Sequence, residues 1–274
     1  MEQISRRTVL TAMGALGTMT VAGCADDEPS QLDPSSTHVV EGDGGSGSSA
    51  SGSSSAGSEG SGDASSEGGM RQVQLDSPDA MRGRWAAYTA VVLAASDNSE
   101  SSRAEDGDWI FQHELGPWAM LVRFKDGKAL LAGHANADIV RDLTQEKKIR
   151  RALVAGAPKW WGALDTALPD TARIGFVLGW DGKTWQGLAP SVSNFDALPF
   201  YPKSQQACGE QLVMWGSKAE GSYTGSAKAA ADAAMRAGTQ LTAAQLKKLG
   251  PGIQSARVKG ALTAAKAYEG KGKH

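Results

Sequence analysis

Residues 41–69 read EGDGGSGSSASGSSSAGSEGSGDASSEGG, and 21 of these 29 positions are glycine or serine. Such a stretch has no apolar side chains to bury, so nothing offsets the ordering entropy of its backbone and no core can form across it. It predicts a disordered tether and confines the folded body to the chain beyond about residue 70. The random-coil relation gives residues 25–70 a root-mean-square reach of about 35–40 Å. His38 falls inside this tether and is discounted as a ligand. Charge follows the same boundary. Residues 25–70 hold nine acids and no Lys or Arg, whereas residues 71–274 hold 26 bases against 20 acids. The basic excess collects at the end, with eight bases and one acid, Glu269, from Arg236 onward. That tail reads as a solvated helix face; the competing reading is contact with anionic headgroups or cell-wall polymers.

Upstream of the tether, Arg6 and Arg7 precede sixteen uncharged residues, Thr8–Gly23, diluted by four threonines and by glycines. A membrane-spanning helix needs about 20 apolar residues. A basic start, a short mild apolar run and small residues at its end make a cleavable signal instead. SRRTVL resembles the twin-arginine export motif. Val21-Ala22-Gly23-Cys24 resembles the bacterial lipobox, and the resemblance implies cleavage before Cys24, acylation of its thiol and a membrane anchor. Two or three acyl chains hold a protein stably on a bilayer where one does not. Ala25, rather than an aspartate, follows the cysteine; in two-membrane bacteria an aspartate there resembles an inner-membrane retention signal, so the resemblance implies the outer membrane. The chain therefore divides into a signal peptide (1–23), a lipidated tether (24–70), an α+β domain (71–223) and a helical appendage with a basic tail (224–274).

Sixteen of the seventeen aromatic residues, including all eight tryptophans, lie between Trp85 and Tyr223, which places the main core there. Ser77-Pro78 reads as N-cap and first helical residue, opening a helix to about Ala95 with Met81, Trp85, Tyr88 and Val92 on one stripe. SDNSESSRAEDGD reads as a polar loop. DWIFQHE is a strand, and PWAMLVRFKDGKALLAGH and ARIGFVLGWDGKTWQGLA are hairpins turning at Asp126-Gly127 and Asp181-Gly182. ADIVRDLTQEKKIRRALVAGA reads as a helix whose Arg150 and Arg151 suit the helix dipole. EQLVMWG reads as a further strand. Beyond Tyr223, Ala- and Lys-rich helices have little to bury, and Thr242 with Gln245 resembles a capping box. The expected fold is α+β: an antiparallel sheet with helices on one side, plus a C-terminal Ala/Lys-rich helical appendage.

Chemistry-bearing patterns are sparse. His113-Glu114 ends one strand and His134, followed by Asp138, ends another, so these four form the most plausible polar cluster. No HExxH, CxxC or HxH motif, GxSxG elbow, Walker loop or GxGxxG is present, so no metal or cofactor is expected. Cys24 and Cys208 are the only cysteines; Cys208, in SQQACGEQ, reads as an unactivated loop thiol. LKKLGPGIQSARV resembles the DNA-gripping helix-hairpin-helix but departs from it at Gln254, and nucleic acid is not expected as a partner. In GAPKWWGALD the adjacent Trp160 and Trp161 diverge by about 100° if helical, either as two core residues or with one as a surface anchor. The series GH, helix, GAPKWW, GFVLGWDGKTW is similar to uncharacterised bacterial proteins and brings no activity with it. The function expected is a lipid-anchored protein of the cell envelope, outside the cytoplasm, presenting a domain that binds an envelope protein or polymer. The alternative is an exported hydrolase built on His113 and His134.

Overall fold

The computed structural model describes residues 69–96, 102–113, 116–135, 143–169, 172–217 and 222–274. Seven strands form one antiparallel sheet: β1 (Met70–Val73), β2 (Ser102–Glu105), β3 (Asp108–Gln112), β4 (Trp118–Arg123), β5 (Ala129–His134), β6 (Phe176–Trp180) and β7 (Trp185–Leu188). Strands β2 to β7 pair in chain order as a meander, and β1 joins the far edge against β7, with Met70 opposite Leu188 and Val73 opposite Trp185. β1 begins where the tether was expected to end.

Among the described residues, eight α-helices pack around the sheet: α1 (Pro78–Ala95), α2 (Leu143–Val154), α3 (Leu164–Ala167), α4 (Ala189–Asp196), α5 (Gln205–Ser217), α6 (Gly225–Ala237), α7 (Ala243–Lys247) and α8 (Val258–Lys266). The fold is α+β, as the sequence pattern implies. α1 starts as expected: the Ser77 hydroxyl accepts from the Ala80 amide at 3.2 Å, with Pro78 in the first turn.

Strand alternation sends apolar residues to both faces of the sheet. Trp109, Phe111, Leu121, Leu131 and Leu178 join one core with α1, α5, α6 and α8. Ile110, Met120, Val122, Leu130 and Val177 join a second core beneath α2, α3 and the 3-10 turn Lys159–Ala163. Helices thus cover two faces rather than one. All six residues of β5 and the first five of β4 are buried, because no face of the central strands is left to water.

Three further expectations are corrected. The loop SDNSESSRAEDGD contains β2, which pairs with β3 through a turn in which Asp106 and Gly107 both have positive φ, 51° and 89°, the type I′ geometry that suits hairpins. EQLVMWG lies in helix α5, where Cys208, Gly209, Leu212, Val213 and Gly216 form one buried stripe. The C-terminal helices, expected to bury little, carry Met235, Leu241, Leu246, Leu249, Ile253 and Val258 into the α1 core.

Candidate functional site

The two histidines of the polar cluster expected at the strand ends lie on opposite faces of the sheet. Gln112 faces Trp118 across β3–β4, and Trp118 faces His134 across β4–β5. Gln112, Trp118 and His134 therefore share the face of the second core. His113, one residue on, turns to the opposite face, where its ring sits 6.2 Å from that of Tyr201, which stacks on Tyr88 of α1. The sheet separates the two imidazoles: His134 is buried on one side and His113 is half-buried on the other. Glu114 and Asp138 lie outside the described residues. The alternation of side chains, and not strand adjacency, decides the matter.

The tryptophan pair divides. Trp161 is buried at 1 % exposure, so it belongs to the core and offers no binding surface. Its ring lies over the backbone of Gly179 in β6, where an added Cβ would come within 2.3 Å of it. Trp160 is half-buried and meets Phe124 edge-on at 5.4 Å, with the Lys128 ammonium 6.0 Å from its ring centre. Phe124 and Lys128 flank the Asp126-Gly127 turn, so one exposed hairpin tip carries an aromatic–cation group.

A basic cleft was not anticipated. Thr144, Lys147, Lys148 and Arg151 line a cavity of about 540 Å³ on the outer side of α2. Their i, i+3, i+4, i+7 spacing places them on one stripe. The inner side of the same helix carries Ile149, Leu153 and Val154 into the second core. Arg150 does not serve the helix dipole as expected. It is buried at 6 % exposure, and its guanidinium donates to the carbonyls of Pro169 and Ala172 at 2.9 and 3.1 Å, tying α2 to the segment that leads into β6. The signal was present in QEKKIRR, but the stripe becomes visible only once the inward and outward sides of α2 are known.

The remaining reactive groups have structural work. Cys208 is buried in α5 rather than in a loop; its thiol donates to the Arg84 carbonyl at 3.5 Å, and burial pushes its pKa up to about 12, which disfavours the nucleophilic thiolate. Tyr268, Thr89 and Ser102 share buried hydroxyl contacts of 2.7, 2.8 and 3.2 Å that join the C-terminal segment, α1 and β2, and the Trp85 indole donates to Ser102 at 3.0 Å. Burial would raise the Asp232 carboxyl, but hydrogen bonds from Lys228, Tyr223 and Gln205 outweigh it and bring its pKa down to about 2; the cluster pins α5 to α6. The turn that resembled a helix-hairpin-helix faces inward. The Gly252 amide donates to Gly216, and Gln254 donates to the carbonyls of Ala94 and Ala95 at the end of α1, satisfying acceptors a helix terminus leaves open.

Among the described residues, no group of three or more His, Cys, Asp or Glu is placed to hold a metal ion, and no helix is long and apolar enough to cross a membrane. Arg6, Arg7 and Cys24 lie outside the described residues. Compared with known families, with curated proteins and with solved structures, the chain matches none.

Proposed function

We propose that this chain is an exported lipoprotein, held on the non-cytoplasmic side of a membrane by acylated Cys24, whose folded body is a binding module on a long tether. The observation that carries the reading is the order of three signals: Arg6-Arg7, an uncharged run too short to span, and Val21-Ala22-Gly23-Cys24. The twin-arginine pair gives the export route, and Ala25 after the cysteine favours the outer membrane where there are two. The body supports a binding role through what it offers to solvent. The Trp160–Phe124–Lys128 tip and the basic stripe of α2 are surface features suited to holding a partner, an envelope protein or polymer. The hydrolase alternative is the weaker reading, since His113 and His134 face opposite sides of the sheet.

Labelling cells with a clickable palmitate analogue and fractionating them tests the anchor. The parent chain should carry label and pellet with membranes; Cys24→Ser should lose the label and move to the soluble fraction. Unchanged membrane pelleting of unlabelled Cys24→Ser would refute the anchor.

A further inference from the structure

We infer that the outward stripe of α2 is a docking surface for the phosphate headgroups of an anionic membrane. The inference rests on the membrane reading above, which supplies the bilayer that a tethered body samples. Lys147, Lys148 and Arg151 are exposed, and with Thr144 they line one cavity of about 540 Å³. Along the helix axis the stripe spans about 10 Å, so the three cations act on one patch rather than as scattered charges. Gln145 and Ala152, also exposed on α2, are uncharged. The one carboxylate of the helix, Glu146, is buried on the inner side with Arg150.

The chemistry of the lining is specific in kind. A guanidinium offers a planar fork of donors, two ammonium groups offer movable donors and point charge, and a threonine hydroxyl adds a neutral donor. Together these suit the tetrahedral oxygens of phosphate better than a planar carboxylate. The cleft has the volume of a headgroup-sized site. Met70, the first residue of β1, packs against the same core as α2.

Bases near an anionic bilayer each strengthen binding about fivefold, and their attraction is screened by salt. Co-sedimentation with vesicles tests the proposal, using the full chain with Cys24→Ser so that no acyl group contributes. Vesicles of phosphatidylcholine alone and with about one-third phosphatidylglycerol are compared. The expected result is a preference for the anionic vesicles that falls roughly 100-fold in Lys147→Gln/Lys148→Gln/Arg151→Gln. Lys147→Arg/Lys148→Arg should retain the preference. Lys247→Gln/Lys248→Gln/Lys259→Gln, three exposed bases of α7, the turn after it and α8, should also retain it. Circular dichroism shows that each variant is folded.

Equal losses in both glutamine triples would assign the effect to net charge and overturn the proposal. So would an α2 triple that binds like the parent. Competition separates the sources of phosphate. If glycerol phosphate displaces the protein at a phosphate concentration matching that of the vesicles, the site takes a free phosphate and the membrane is not its partner. If a long-chain polyphosphate binds more tightly than the vesicles do, the partner is a polymer and the proposal likewise fails.

Discussion

Cys208 shows how a single position is misread from its neighbours. Ser204, Gln205, Gln206 and Glu210 make the local sequence polar, yet Ser204 and Gln205 stand at the start of the helix and Gln206 and Glu210 point away from the stripe that faces α1, within which Cys208 is fully buried. Its neighbours in space, Arg84 above all, come from more than a hundred positions upstream. Burial has a consequence for stability. The thiol's pKa is about 12 in the fold against 9.0 for an unburied thiol. A group whose folded pKa is the higher one stabilises the fold fully below the lower value and loses that contribution as pH rises toward the upper one. Stability should therefore drop by about 1 kcal/mol between pH 9 and 10 from this group. Cys208→Ala, although less stable near neutrality, should show a flatter decline over the same interval. Urea unfolding at pH 7, 8, 9 and 10 reads both slopes. Parallel curves would mean that another group carries the alkaline loss. Burial also pushes Tyr268 up, and its ordinary ionisation near pH 10 is the reason to stop the series there.

At the scale of elements, turn chemistry was the most legible signal and short apolar runs the least. Asp126-Gly127 and Asp181-Gly182 each turn a hairpin, with Gly127 and Gly182 at φ of 84° and 102°. The Asp181 side chain accepts from the amides of Lys183 and Thr184 at 2.8 Å, and those bonds hold its carboxyl below the usual carboxylate range. Asp106-Gly107 carried the same signal, but β2 is the polar edge strand SRAE and has no apolar alternation to announce it. α5 failed in the opposite way. LVMW reads equally as a strand or a buried helix, because periodicity cannot separate the two in so short a run. What decides it is close approach: Gly209 admits the Tyr223 ring and Gly216 admits Leu249, contacts that a helix stripe of small residues permits. The same device holds the 3-10 turn to the sheet through Gly179 and Trp161. Gly179→Ala should displace the indole and cost about 1–3 kcal/mol by overpacking. Gly162→Ala, which meets nothing within 4 Å, should change stability by less than about 0.5 kcal/mol. Denaturant midpoints of the two variants check the contrast; equal midpoints would mean that Trp161 is not seated as described.

For the folded body as a whole, composition misled where packing decides. Residues beyond Tyr223 look like an appendage because alanine and lysine dominate them, and alanine contributes little apolar area to a sequence pattern. Small side chains instead let α6 and α8 lie close against α1: Ala231, Ala234, Ala261 and Ala265 are all buried there, beside Gly83 and Gly238, whose backbones touch. The candidate site was less legible than the fold for a related reason. Histidines at strand ends were visible in the sequence, but their faces depend on register, and the cations of α2 acquire a common side only once its inner stripe is seated. The packing of the C-terminal helices yields a prediction about cooperativity. Met235, Leu241, Leu246, Leu249, Ile253 and Val258 are buried in the α1 core, and at about 1.5–3 kcal/mol each their burial is worth on the order of 10 kcal/mol. Domains of this kind are stable by only about 5–15 kcal/mol. Removing that contribution also exposes Trp85, Thr89 and Ser102, which Tyr268 covers and joins by hydrogen bonds. A chain stopped after Tyr223 should therefore fail to fold rather than lose an ornament. Its thermal and urea transitions should be broad or absent, its amide resonances poorly dispersed, and its apolar surface open to a fluorescent dye. A sharp unfolding transition near that of the full chain would show that residues 71–223 stand alone and that the helices beyond them are an appendage after all.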